Sequence, residues 1–298
     1  MLFMTRRKSQ AVLTNRACLA ELRFEYPVDV VNEEFCARYG PWALIAGASE
    51  GLGAEYARQL AARGLDVLLV ARRDDLLEQL AQEIRHEFGR EVRCASLDLA
   101  SPQLADGLRE HTAGIEIGLV VYNAAFSLIG PFVEQKLDDK LRILDVNCRG
   151  PLVVAHELGR AMLGRGRGGI LMMSSLAGFQ GSPWLATYAA SKAFDTVLAE
   201  GLWDEFREHG VDVLACCAGV TRTPNFEKTQ PRGGPKPMEP RDVVTEALAA
   251  LGRRPNLVAG RFNRIACFVM GRLLPRRAAI RIIGASTRRM YGTPRPPL

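Results

Sequence analysis

The stretch from Trp42 to Arg63 constrains the fold more than any other. The apolar run Trp42–Ala46 reads as a short buried strand. Gly47-x-x-x-Gly51-x-Gly53 follows at once, and a helical pattern then runs from Ala54 to Arg63. Such a succession reverses the backbone tightly at the end of a strand. It leaves the first N–H groups of the helix, at the positive end of its dipole, free to face an anion. A tight turn without a ligand is the bland alternative. The flanking strand and helix favour a phosphate site, because a dinucleotide-binding unit needs that order.

The rest of the chain repeats the alternation. Strands are expected at Asp66–Val70, Val92–Leu97, Ile115–Val121, Ile170–Met173, Val211–Cys217 and Leu257–Ala259. Helices are expected from Asp74 to about Phe88, near Pro102–His111, over Leu137–Leu163 as one long helix, and from the Tyr188 region to about His209. Short apolar strands separated by ten- to fifteen-residue helices imply βαβ units. Right-handed crossovers then give an α/β fold, a doubly wound, Rossmann-type parallel sheet with helices on both faces. This single domain spans residues 41–260. Residues 1–40 show no period and are expected to form an extension outside the main fold. Residues 261–298 are expected to form a basic, amphipathic helical extension divided by Pro275.

Composition narrows the function classes. The net charge of +6 is a C-terminal property: after Glu246 the chain has eleven arginines and no acid. No nucleic-acid recognition motif accompanies that charge, so no nucleic acid is expected as partner. The segment can pack on the protein or touch an anionic membrane surface; packing is favoured, since charge runs usually face solvent. The seven cysteines have no metal-ligand spacing and several lie in apolar runs. They read as reduced core residues of a cytoplasmic protein, and no metal site is expected. Met1–Gln10 lacks the apolar core of a signal peptide. The loop Thr221–Pro240 holds five prolines and Gly233-Gly234. A loop of that length is either a lid over a binding site or a surface excursion.

Ser174–Lys192 carries the chemistry. Tyr188 and Lys192 are four apart, so on a helix the phenol and the ammonium share one face. A free phenol titrates near pH ~10, and a neighbouring cation favours the phenolate, which gives an acid/base nearer neutrality. Ser175, thirteen residues before Tyr188, closes an apolar strand and can meet the same substrate oxygen. The second strand ends Val70-Ala71-Arg72-Arg73 with no acid. Two guanidiniums there suit a 2′-phosphate, which argues for NADP(H) over NAD(H). Arg72 is the better placed, Arg73 reads as solvated, and Glu50 sets a negative charge near the phosphates.

Taken together, these motifs resemble the short-chain dehydrogenase/reductase family over roughly residues 42–260. The glycine spacing matches its single-domain branch, not the extended branch of epimerases. Asp98 matches the acid placed near adenine, Asn123-Ala124-Ala125 stands where Asn-Ala-Gly is usual, and Asn147 matches the helix asparagine. Ser175, Tyr188 and Lys192 match the remaining catalytic positions. Ala218-Gly219 stands for Pro-Gly, and Thr223 matches the threonine that follows. The resemblance implies a cofactor-binding set of Gly47, Ser49, Gly51, Leu52, Gly53, Arg72, Asp98, Leu99, Asn123, Ala124, Tyr188, Lys192, Gly219, Thr221 and Thr223. It also implies hydride exchange between the nicotinamide and a carbonyl or carbinol carbon. In that scheme Tyr188 moves the proton, Ser175 holds the oxygen, Lys192 lowers the Tyr188 pKa, and Asn147 holds a water linking Lys192 to solvent.

Phe126, Phe179, Trp184, Leu185 and Phe226 are expected to border the substrate. They point to a small hydrophobic ketone or alcohol that is steroid-, retinoid- or acyl-like. A homo-oligomer completes the expectation. Two other classes compete: a non-catalytic NADP(H)-binding sensor or scaffold, which would not need Ser175, Tyr188 and Lys192 together, and an epimerase or dehydratase, which the glycine spacing opposes.

Overall fold

The computed structural model describes residues 32–292. Seven strands form one sheet: β1 Trp42–Ala46, β2 Asp66–Ala71, β3 Val92–Ser96, β4 Ile117–Tyr122, β5 Gly168–Ser175, β6 Val211–Ala218 and β7 Asn256–Val258. Their order is β3-β2-β1-β4-β5-β6-β7, with every neighbouring pair parallel. The α/β, doubly wound fold read from the alternation is therefore the observed one. The chain runs outward from β1 to β3 and then returns to β4 on the other side of β1. Such a reversal opens a crevice at the carboxyl ends of the strands, where ligands of this architecture bind.

Both faces of the sheet are covered. Ala43, Ile45, Val67 and Leu69 point into one core with the helices α2 Gly51–Ala62, α3 Asp74–Phe88 and α9 Pro240–Ala250. Leu44, Ala46, Leu68 and Val70 point into the other, with α4 Leu104–Thr112, α6 Gly150–Arg165 and α7 Ala186–Arg207. Strand residues alternate between faces, so a run that is apolar throughout belongs to a sheet buried on both sides. Leu44 and Ile45 are wholly buried; each contributes about 1.5–3 kcal/mol over an exposed side chain.

Three expectations change. Residues 1–31 lie outside the described residues, but α1, Glu33–Tyr39, docks on the fold instead of standing apart from it. Asn32 caps its first turn by accepting from the Phe35 N–H. Arg38 donates twice to the Asp212 carboxylate (2.6 and 2.7 Å), and the Tyr39 hydroxyl donates to it as well (2.6 Å). Seven residues are too few to show a period, and their anchors are polar and far along the chain. The second change is in the long helix expected over Leu137–Leu163. It is α5 Leu137–Leu144, a π-helical turn Asp145–Arg149, and α6. The third is in the loop after β6, which holds the short helix α8 Pro224–Lys228 and pairs Met238 with Val220 and Arg222.

The C-terminal segment forms α10 Arg261–Phe268, a π-helical turn Val269–Leu273 and α11 Arg276–Tyr291, with Pro275 at the break. Ala279, Gly284, Thr287 and Met290 of α11 are buried against the protein. Phe262, Ile265, Phe268 and Leu273 remain exposed, as do Leu137, Leu141 and Val197 on α5 and α7. Among the described residues, no helix is long and apolar enough to cross a membrane.

Candidate active site

The glycine turn joins β1 to α2, which begins at Gly51, three residues before the expected start. Gly47 sits at φ +86°, where a side chain is strained, and a Cβ there would press on the Ala124 backbone. A Cβ on Gly53 would overlap the Gly47 carbonyl oxygen, so strand and helix close up only because both positions lack side chains. Glu50, at the N-cap, makes no side-chain bond to the first helical turn. The turn's N–H groups are thus left to an anion.

Around this turn the predicted cofactor residues gather. Asn123 follows β4 and donates its side-chain N–H to the Gly47 carbonyl (3.0 Å), while Ala124 N–H bonds Ala46. Thr223, which caps α8, lies against Gly51. Thr221 is buried and donates to the Gly219 carbonyl (3.1 Å); Gly219 in turn packs on Asn263 of α10. Asp98 and buried Leu99 lie in the loop after β3. Burial pushes the Asp98 carboxyl up, but the Ala100 N–H and the Arg142 guanidinium (2.9 Å) outweigh it and hold it below the usual range. One of the two arginines differs from expectation. Arg73 is not simply solvated: it donates to Ser49 Oγ (2.8 Å) and pairs with Glu50 (3.1 Å). Arg72 is exposed and makes no hydrogen bond or ion pair among the described residues. Glu50 is thereby compensated by Arg73, with Lys228 at 4.0 Å as well. Free helix N–H groups, a hydroxyl and two guanidiniums form a donor set that fits a phosphorylated dinucleotide.

Beside it lies a second group. Ser175 ends β5, and its Oγ accepts from the Ala177 N–H (3.2 Å), turning the chain toward α7. Tyr188, in the first turn of α7, is half-buried and its hydroxyl makes no hydrogen bond among the described residues. Lys192 is buried, with its Nζ 5.9 Å from the Tyr188 ring centroid. That ammonium donates to the Met173 carbonyl (2.8 Å) and to Asp195 Oδ2 (2.9 Å). Asn147 is wholly buried in the π-helical turn, a feature frequent at functional sites. Its side chain accepts from the Phe126 N–H (2.8 Å) and donates to the Phe126 carbonyl (3.0 Å) and Ser191 Oγ (2.9 Å). Ser191 donates onward to the Tyr188 carbonyl. Both ends of the Tyr188–Lys192 turn are therefore gripped, since Ser174 donates to the Lys192 carbonyl (2.7 Å).

A cleft of about 260 Å³ is lined by Ile129, Pro131, Gln135, Trp184 and Tyr291. Trp184 holds φ +69°, unusual for a bulky residue, and its carbonyl accepts from the Gly130 N–H. Tyr291 comes from the end of α11. Burial pushes its phenol above the usual value, a hydrogen bond with Thr229 opposes this, and neighbouring Tyr188 adds to it.

A family model described as short chain dehydrogenase matches residues 41–233. The chain belongs to the short-chain dehydrogenase/reductase family. A 7beta-hydroxysteroid dehydrogenase of Clostridium sardiniense is 35% identical over 234 residues, which are 77% of this chain and 89% of that protein. A solved structure of a 7beta-hydroxysteroid dehydrogenase aligns with a TM-score of 0.79 at 30% identity, covering 84% of this chain and 98% of its own. A short-chain dehydrogenase from Sphingobium yanoikuyae in complex with NADPH aligns with a TM-score of 0.66 at 31% identity, covering 78% and 95%. As a member of this family, the protein is an oxidoreductase acting on CH–OH and C=O groups.

For this short-chain dehydrogenase/reductase, sequence reasoning overlooked Ser174, Ser191, Asp195 and Tyr291. Ser191 and Asp195 stand three residues after Tyr188 and Lys192, the spacing that puts side chains on one helix face. Tyr291 carried no signal, since the fold alone brings it to Tyr188. Phe126 and Trp184 border the site, whereas Phe179 is 40% exposed and offers its carbonyl to Arg276.

Proposed function

We propose that the protein is an NADP(H)-dependent oxidoreductase interconverting a hydrophobic, steroid-like ketone and its secondary alcohol, with Tyr188 as the acid/base. The observation that carries this reading is the convergence at the carboxyl ends of β1 and β5. An uncapped helix N-terminus and two arginines stand at one end. A phenol with no hydrogen bond among the described residues and a buried ammonium stand at the other. The NADPH-bound relative supports the cofactor, and the hydroxysteroid dehydrogenases support the substrate class.

When bound, the nicotinamide supplies or accepts the hydride. The chain's own residues manage the oxygen and its proton. In reduction the Tyr188 hydroxyl gives its proton to the substrate oxygen, and in oxidation the phenolate takes it back. Ser175 donates a hydrogen bond to the same oxygen. The Lys192 ammonium keeps one of its three N–H groups free for the cofactor side, the others being held by Met173 and Asp195.

The test is a panel of steroid and other bulky ketones with NADPH and NADH, read at the nicotinamide absorbance. Turnover with NADPH, lost by about 10²–10⁴-fold in Tyr188→Phe with cofactor affinity retained, is expected. Measurable NADPH binding with no turnover on any ketone would sink the reading in favour of a sensor.

A further inference from the structure

Lys192 has a neighbour that the proposed chemistry does not use. Asp195 is 1% exposed, stands one helical turn from Lys192 on α7, and takes the ammonium at 2.9 Å on its Oδ2. Its Oδ1 is buried and accepts no hydrogen bond among the described residues. A carboxylate so placed is a poor choice for stability. A buried ion pair is often no better than apolar residues of the same volume, and its unbonded oxygen adds a desolvation cost. Packing does not call for an acid there.

Electrostatics does. On its own helix Lys192 faces Tyr188 and Asp195; Met173 of β5 offers only a carbonyl. Cys148 of the π-helical turn and Cys217 of β6 face it from other elements, and Tyr122 of β4 faces Asp195. Burial pushes all three up, Cys148 to about 11, so they are neutral at ordinary pH. Burial pushes the Asp195 carboxyl up too, with the Lys192 ammonium opposing it; the ion pair makes Asp195 the counter-charge to a buried ammonium. Burial alone would press Lys192 toward its neutral form; Asp195 first, and then Tyr188, outweigh it and hold Lys192 above its usual value.

We propose that Asp195 is a positioning residue, which fixes the Lys192 ammonium on the strand side of α7 and keeps it charged beside Tyr188. This rests on the reading of Tyr188 and Lys192 as the acid/base pair. Any negative charge makes proton release harder from its neighbours. Removing this one therefore lets the Tyr188–Lys192 pair lose its first proton at lower pH, whichever member yields it.

Two measurements on the full chain test the idea. In the first, urea unfolding of wild type, Asp195→Asn and Asp195→Glu is followed from pH 6 to 10. The Asn variant leaves Lys192 buried without a counter-charge, so its folded pKa drops below the unfolded value. Its stability deficit then shrinks as pH rises, whereas a packing defect gives a constant deficit. If Asp195→Asn does not fold at any of these pH values, adding Lys192→Met should restore folding; no restoration refutes the proposal. In the second, the alkaline limb of ketone reduction moves toward acid by about one pH unit or more in Asp195→Asn and returns in Asp195→Glu. A pH-independent deficit, or an unmoved limb in an active enzyme, overturns the proposal. A wild type that reduces no ketone, with Asp195→Asn showing the shrinking deficit, refutes the acid/base reading and leaves Asp195 as the partner that keeps Lys192 charged.

Discussion

Asn147 offers a direct measure of how the π-helical turn holds the site together. Asn147→Ala removes three hydrogen bonds, two to the Phe126 backbone and one to Ser191. Ser191 keeps its bond to the Tyr188 carbonyl, so the main loss falls on the Phe126 N–H and C=O. Those groups are only partly buried, so about 1–2 kcal/mol each is appropriate, or about 2–4 kcal/mol in total. For a chain of this size that corresponds to a melting point lowered by about 3–6 °C. Asn147→Asp sharpens the test through pH. Its first oxygen can still accept from Phe126 N–H, but the second would face the Phe126 carbonyl. Ionised, it sets two acceptors together in a wholly buried place; protonated, it restores the donation to the Phe126 carbonyl with its single O–H. The folded-state pKa of this aspartate must then exceed the unfolded value of about 3.9. The folded state binds the extra proton, so the variant's stability is present below that unfolded value and is lost as pH rises through the folded one. Thermal melts of wild type, Asn147→Ala and Asn147→Asp between pH 4.5 and 8 are the assay. An Asp variant that tracks wild type at every pH, or an Ala variant that melts within a degree of it, would refute the reasoning.

Three further outcomes are expected. Arg72→Ala should weaken NADPH binding by about tenfold or more and leave NADH binding unchanged, because an exposed guanidinium that makes no hydrogen bond or ion pair among the described residues is free for a 2′-phosphate. Arg73→Ala, which releases Glu50, should weaken both cofactors; titration calorimetry separates the two, and equal losses in Arg72→Ala would count against NADP(H). Tyr39→Phe should lower the urea midpoint by the equivalent of about 1–2 kcal/mol, since it removes a bond to the buried Asp212 carboxylate. Burial, then Asp212, holds the Tyr39 phenol above its ordinary value. That stabilisation is present below about pH 10 and is lost above it, so the gap between the two proteins should close in alkali. A gap that stays constant would break the argument.

What the chain disclosed, it disclosed through causes local in sequence. The apolar runs that became strands, the Gly47–Gly53 turn and the four-residue spacing of Tyr188 and Lys192 each follow from neighbours within a few positions. Where the cause lay elsewhere in the chain, the reading went astray. The π-helical turn at Asn147 adds one residue to a helix whose apolar period hardly changes, and its reason is a backbone twenty-one residues away at Phe126. The docking of α1 depends on Asp212, 174 positions after Arg38. Arg72 and Arg73 are equivalent as letters. Only the course of the chain into α3 aims the second at Ser49.

Asp195 is the sharpest instance. Its spacing from Lys192 is plain, yet a charge on a long helix is normally taken to face water, and α7 carries polar and apolar residues on every side. Its burial arises because α7 packs against β5, β6 and the π-helical turn together. A charge sequestered where apolar packing would be more stable has to be explained by what it does to its neighbours. Here the neighbour is the ammonium beside Tyr188.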